Sequence, residues 1–159
     1  MIHRILSLGT IAVDTMLYID KMPGKDGFGH VYSEKVVPGG SSANVAVAVK
    51  ELGNIVLQSG KIADDSFGVI IENNLKEEGI DTRYIALDED SASGVALISV
   101  DDHAENSIVV ASGANMLLNE QDVDKMLEEM CEGDILLMQL EIPLQTVEYA
   151  ARKAFGKGV

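Results

Sequence analysis

Apolar positions fall in short runs separated by glycine-rich or acidic breaks, and the runs switch between strand-like and helix-like spacing. Arg4 to Leu8 is a short run ending at Gly9, the pattern of a buried strand. Residues 11–19 continue as extended chain through Asp14, and Pro23-Gly24-Lys25-Asp26-Gly27 turns it. Residues 30–37 mix polar and apolar positions, as a strand exposed on one face does. Pro38-Gly39-Gly40-Ser41-Ser42 breaks this pattern and opens a helix over about 43–52, closed by Gly53. Ala43, Val45, Ala46, Val47, Ala48 and Val49 make that helix apolar on nearly every side, which predicts burial on both flanks.

Residues 55–59 read as a further buried strand. Asp64-Asp65-Ser66 starts a second helix, with Phe67, Ile71 and Leu75 on one stripe, ended by Gly79. Strands follow over 82–87, 94–100 and 106–111, the last two joined by the polar Asp101-Asp102-His103-Ala104-Glu105. A third helix spans about 120–130. Residues 135–140 form the most apolar strand, and Pro143 opens a last helix running to about Phe155. Alternation of strand and helix at 1–22, 38–79 and 115–155 predicts an α/β domain, a mostly parallel sheet flanked by helices on both faces. The segments within about 12–37 and 93–112 predict a small antiparallel lid beside it. Residues 1–159 form one unit, and the last helix runs into Gly156-Lys157-Gly158-Val159, where a parallel α/β unit would begin its next strand. The chain therefore reads as a truncated portion of a larger α/β protein.

Composition narrows the function. Of 159 residues 47% are apolar, enough for a sizeable core, yet no run approaches the ~20 apolar residues of a membrane-spanning helix. No signal peptide is legible at the N-terminus, so a cytoplasmic location is expected, with no membrane partner. The single Cys131 excludes an internal disulfide and reads as a structural thiol. A formal charge of −14, with no basic cluster and no Trp, argues against a nucleic-acid partner. His3 and His30 have no acidic or cysteine neighbour at ligand spacing, so no metal site is expected.

Three places carry chemistry. In Gly39-Gly40-Ser41-Ser42-Ala43-Asn44, bare glycine backbone lets a ligand approach, the helix start offers free N–H groups, and Asn44 can both donate and accept. A turn with a Ser N-cap explains the same residues. Asp14 follows the first strand, where α/β sheets place ligand groups and a carboxylate can accept from two neighbouring hydroxyls; a solvated loop Asp is the alternative. Glu141 ends the most apolar strand, as a ligand residue or as part of the next helix's N-cap. Asp64 and Asp65 read as capping residues, and Gly9-Thr10-Ile11-Ala12-Val13-Asp14 lacks the glycine spacing of a dinucleotide fingerprint.

Together these segments resemble the ribokinase-like (PfkB) family of carbohydrate kinases. The resemblance runs in order through Asp14, Gly39-Gly40 with Asn44, Asp64-Asp65-Ser66-Phe67-Gly68, Ser93-Gly94-Val95-Ala96-Leu97-Ile98, Gly113-Ala114-Asn115 and Met138-Gln139-Leu140-Glu141. It implies an ATP-dependent enzyme that moves the γ-phosphate to a sugar hydroxyl. Asp14, Gly39, Gly40, Ser41, Asn44 and Glu141 would be the substrate-binding residues, with Ala96, Ile98 and Val110 on the lid wall. It also implies a small sugar or sugar-like substrate, ATP and Mg²⁺ in the intact enzyme, and a homodimer through the lid. The family's catalytic Asp and ATP site belong to a C-terminal half that has no counterpart in this chain, so the fragment alone is expected to be inactive. Ribose-specific members usually carry Asn where this chain has Ala12, and Lys where it has Ser41. A sugar- or nucleoside-binding module without catalysis, and a nucleoside kinase of the same fold, are the alternatives.

Overall fold

The structure is a computed structural model describing residues 4–159; His3 lies outside the described residues. Its elements run β1 (Arg4–Leu8), β2 (Ala12–Ile19), β3 (Val31–Gly39), α1 (Ser41–Glu51), β4 (Ile55–Ala63), α2 (Ser66–Glu77), β5 (Asp81–Asp88), β6 (Gly94–Val100) and β7 (Asn106–Ala111). A 3₁₀-helix (Gly113–Leu117), α3 (Glu120–Leu127), β8 (Ile135–Met138) and α4 (Leu144–Gly156) complete them. One sheet has the order β5-β4-β1-β8 with every pair parallel.

Strand alternation divides that sheet's two faces. Leu6, Leu8 and Leu57 pack with Val123, Met126, Leu127, Val147 and Ala150 of α3 and α4. On the other face Val56 packs with Ala43 and Ala46 of α1 and Ile71 and Leu75 of α2. Ser7, between the two leucines of β1, also faces α1, and its hydroxyl meets Ser42 Oγ at 2.8 Å. Gln58 Nε2 donates to the same Ser42 oxygen at 2.9 Å. Polar groups thus sit where the first turn of α1 crosses the sheet; Ser7, Ser42 and the Gln58 amide nitrogen find partners there, while Gln58 Oε1 is buried without one, a cost of about 1–3 kcal/mol.

The second sheet, order β3-β2-β6-β7, contains the lid segments, and it is mixed rather than wholly antiparallel. The hairpins β2–β3 and β6–β7 are antiparallel, while the central pair β2–β6 is parallel. Both of those strands leave the main body in the same direction, which fixes their relative sense.

Helix α1 departs from its sequence pattern. Only Ser42, Ala43 and Ala46 are buried; Ala48 is exposed and Val45, Val47 and Val49 are half-buried. Among the described residues one flank meets the sheet and the other borders a groove shared with α2, so the all-round apolar pattern overstates its burial. Asp65 caps α2 as its position suggests, accepting from Gly68 N at 2.7 Å. Strand β8 is shorter than its apolar run and lies at a sheet edge, with Ile135 47% exposed. Cys131 is exposed, outside both cores.

Among the ion pairs that join distant segments, two are at least partly buried. Lys61 on β4 contacts Asp122 of α3 at 2.9 Å, both side chains about 10% exposed or less, and also donates to Leu117 O. Arg4 meets Asp134 at 2.6 Å. Burial raises the Asp134 pKa, but hydrogen bonds from the Arg4 side chain and from the Cys131 and Arg4 amides outweigh it and hold the carboxyl down at about 2. A depressed carboxyl lends stability that is present above the ordinary carboxylate range and lost as pH falls toward 2. Asp134→Asn should therefore lower neutral-pH stability by about 2 kcal/mol, or roughly 4–8 °C in Tm, with the difference vanishing in acid. Thermal melts across that pH range check this; an unchanged Tm at pH 7 refutes it.

Candidate functional site

The site lies where the two sheets diverge. β1 ends at Leu8, and residues 9–11 carry the chain across to β2. Gly40 sits against that crossing with φ of +96°, and a Cβ there would lie 2.7 Å from Ile11 Cα and from Thr10 O. Both the positive φ and the backbone contact require glycine. Gly40 is the N-cap of α1 and makes no side-chain cap, so the Ser N-cap reading does not hold. Ser41 instead enters a three-oxygen cluster. Its hydroxyl donates to Glu141 Oε2, Thr10 Oγ1 donates to the same oxygen at 2.8 Å, and the two hydroxyls lie 2.7 Å apart.

A cavity of about 600 Å³ opens beside this cluster. Asp14, Gly40, Ser41, Asn44 and Glu141 all line it, joined by Thr10. Gly39 does not. It stands behind Asp14, packed so closely on the carboxylate that a Cβ would collide with it. The rest of the lining is mostly apolar: Ala96 and Ile98 from β6, Ile108 and Val110 from β7, with Ala12, Met116 and Leu140. The cross-strand register places Asp14 opposite Ala96, and Ala96 opposite Val110, so one row spans the lid's inner side. Ala12 lies two residues before Asp14 on β2 and therefore shares its face.

Two carboxylates and no cationic side chain face this cavity. Asp14 is half-buried, and burial pushes its carboxyl above its ordinary pKa. Among the described residues no group of three His, Cys, Asp or Glu is placed to hold a metal ion, and no helix is long and apolar enough to cross a membrane.

The sequence profile described as pfkB family carbohydrate kinase matches residues 2–154. The chain belongs to this family. A ribokinase of Haemophilus influenzae is 41% identical over 155 residues, covering 96% of this chain and 50% of that protein. A deoxyribokinase of Salmonella typhi is 35% identical over 150 residues, covering 94% and 48%. Among solved structures, ribokinase from Thermotoga maritima superposes with a TM-score of 0.84 at 27% identity, over 94% of this chain and 49% of that one. Ribokinase from Cryptococcus neoformans, in complex with ADP, gives 0.80 at 27%, over 96% and 47%. The chain thus spans about half the length of the pfkB relatives it matches.

Sequence reasoning picked out five of the polar wall residues and three of the apolar ones. It missed Thr10, whose hydroxyl is unremarkable in sequence, and Asn115, visible only as the end of Gly113-Ala114-Asn115.

The raised Asp14 pKa has a consequence for stability. Burial disfavours the carboxylate, so the folded chain holds this proton to higher pH than the unfolded chain does, and stability falls as pH rises through that window. Asp14→Asn should raise the Tm at pH 7 and give no gain below the ordinary carboxylate range. Thermal melts at pH 7 and pH 3 test it, and a lower Tm at pH 7 contradicts it.

Proposed function

We propose that this chain forms the acceptor-binding portion of an ATP-dependent carbohydrate kinase, and that the acceptor is a small neutral sugar held by Asp14, Gly40, Ser41, Asn44 and Glu141. The observation that carries this reading is their convergence on one cavity whose remaining lining is mostly apolar. A sugar ring has the same two-sided character, hydroxyls at its rim and C–H groups on its faces. Asp14 would accept from two neighbouring hydroxyls, Asn44 would donate and accept, and Gly40, packed bare on the crossing, would bring the first turn of α1 within reach of the ring.

ATP supplies the phosphoryl group in this reaction, with Mg²⁺ neutralising its charge. The cavity-lining residues, two carboxylates without a Lys or Arg, do not fit a triphosphate, so no step of the transfer is assigned to them. Their part is to orient the acceptor hydroxyl, a positioning effect that contributes strongly to phosphoryl transfer. Binding without turnover is therefore expected of these 159 residues. Calorimetry with ribose should give saturable binding, and Asp14→Asn should weaken it roughly 10- to 150-fold, the ~1.5–3 kcal/mol of a hydrogen bond to a charged group. Adding ATP and Mg²⁺ should yield no sugar phosphate. Tight binding of adenosine in place of pentoses would move the reading to a nucleoside kinase. Sugar phosphate formed by these residues alone would overturn the division of labour.

A second reading is favoured by Ala12. Its methyl faces the cavity on the same side of β2 as Asp14 and offers no partner to a hydroxyl. Desolvating a hydroxyl without a partner costs about 1–3 kcal/mol, so a sugar lacking one there, as a deoxypentose does, loses less. The likeness to a deoxyribokinase supports this. Deoxyribose is expected to bind as well as ribose or better, and Ala12→Asn should shift the ratio of the two affinities toward ribose by roughly tenfold. A ratio unmoved by Ala12→Asn would remove the deoxy-sugar reading and leave the acceptor reading intact.

The lid's outer side exposes Val36, Leu97 and Val109, each exposed by more than 40%. That apolar row supports a homodimer through the lid as the further expectation for the assembled protein.

A further inference from the structure

We propose that Asn115 is a positioning residue for the acceptor cavity, one buried amide that pins the base of the lid sheet, and with it the face carrying Asp14, Ala96 and Val110, beside the polar turn at the start of α1. The proposal rests on the acceptor reading above for its function and on contacts within the fold for its geometry. Asn115 is 1% exposed. Its Oδ1 accepts from Ile11 N at 3.0 Å, and its Nδ2 donates to Ile11 O at 2.9 Å and to Ser112 O at 2.9 Å. Ile11 stands immediately before β2, in the crossing between the sheets, and is paired in neither ladder. The Asn115 amide takes the place of a neighbouring strand for it, satisfying both peptide groups of a residue that is itself wholly buried.

Ser112 follows β7 directly, so the same amide holds the base of β2 and the base of β7. The base of β6 closes on it as well. A Cβ on Gly94 would collide with Asn115 Nδ2 and lie 3.1 Å from both Ile11 O and Ser112 O. The base of β3 reaches the same point through Gly40, packed on Ile11 Cα. All four lid strands therefore root around one side chain. Asp14 lies three residues beyond Ile11, and Val110 two residues before Ser112; both line the cavity. Both stand in one cross-strand row with Ala96, so a shift of the amide moves that whole face relative to Ser41 and Asn44 of α1, across the space the ligand would occupy.

The test compares Asn115→Ala and Asn115→Asp with the parent 159-residue chain and with a remote control. Asp keeps an acceptor for Ile11 N–H and loses the donor to both carbonyls. Thr146→Val is the control, because Thr146 is equally buried and donates to Leu118 O at 2.9 Å, away from the cavity lining. Ribose affinity by calorimetry and residue-resolved amide exchange are measured on each. Both Asn115 variants should lose tenfold or more in affinity. Amides of residues 11–14 and 110–112 should exchange tenfold or more faster, with those of β1 and β4 unchanged. Thr146→Val should lower the Tm and keep the affinity. Parent-like affinity in the Asn115 variants, or faster exchange spread evenly over the parallel sheet, overturns the positioning role. Should the parent bind no sugar or nucleoside, the acceptor reading fails alone, and the exchange pattern still decides whether Asn115 pins the base of the lid sheet. Should Asn115→Ala not fold, Asn115→Asp carries both readouts.

Discussion

The backbone of Gly40 lies directly on the backbone of residues 10–12, with no side chain between them. That contact fixes where α1 begins relative to the end of β1, because Ser42 N then donates to Thr10 O at 3.1 Å. It also brings the first turn of the helix under the opening between the sheets. Ser41 and Asn44 face the cavity from the helix side, and Asp14 faces it from the strand side. A larger residue at 40 would separate helix from crossing and with it the two halves of the polar wall. The site is thus a consequence of one close backbone approach, which only glycine permits at this φ.

The parallel sheet makes that approach rigid. Its two faces are filled by different helices, and the alternation along β1 carries the division: Leu6 and Leu8 to α3 and α4, Ser7 to α1. Long-range ion pairs add to the packing at the ends. Arg4 and Asp134 tie the start of β1 to the turn before β8, and Lys61 and Asp122 tie β4 to α3. Both pairs are shielded enough that removing one partner leaves a charge poorly solvated, the situation in which an ion pair matters most. The lid, by contrast, has one well-covered side only at its base, and β7 is exposed along its whole length. Stability is concentrated in the body, and the thinly covered strands are those that face the cavity.

Much of this was legible in the sequence wherever a local rule applied. Asp65 marked a helix cap and Pro143 the start of α4, while Gly39-Gly40 marked a close approach that turned out to be to protein backbone and to the Asp14 carboxylate rather than to a ligand. Ala96, Ile98 and Val110 were placed on the lid wall by family resemblance, and they stand there. The failures have a common cause. The apolar pattern of α1 could not say how many neighbours the helix has, and the length of the run at 135–140 could not say that the strand stops at Met138 on a sheet edge. Nor could spacing reveal that Asn115 reaches back 104 residues to Ile11, or that Lys61 meets Asp122. Periodicity reports which face of an element is apolar; it is silent on which distant peptide a buried amide will serve. The parallel pairing of β2 with β6 belongs to the same class, since two hairpins in sequence do not declare how they will abut.

Charge gives the last step. The chain carries −14 overall, and its cavity adds Asp14 and Glu141 without a balancing cation. A carboxylate or phosphate ligand would enter against both, and beside the half-buried Asp14 screening by water is reduced. A neutral polyol does the reverse, since its hydroxyls donate to the carboxylates and recover part of the cost of burying them. That cost is visible in Asp14, whose carboxyl is harder to ionise than an ordinary aspartate. Glu141 already holds two hydroxyls of the protein itself, Thr10 and Ser41, arranged as ligand hydroxyls would be. The chain therefore contains, in its own side chains, a working example of the hydrogen bonding proposed for its acceptor.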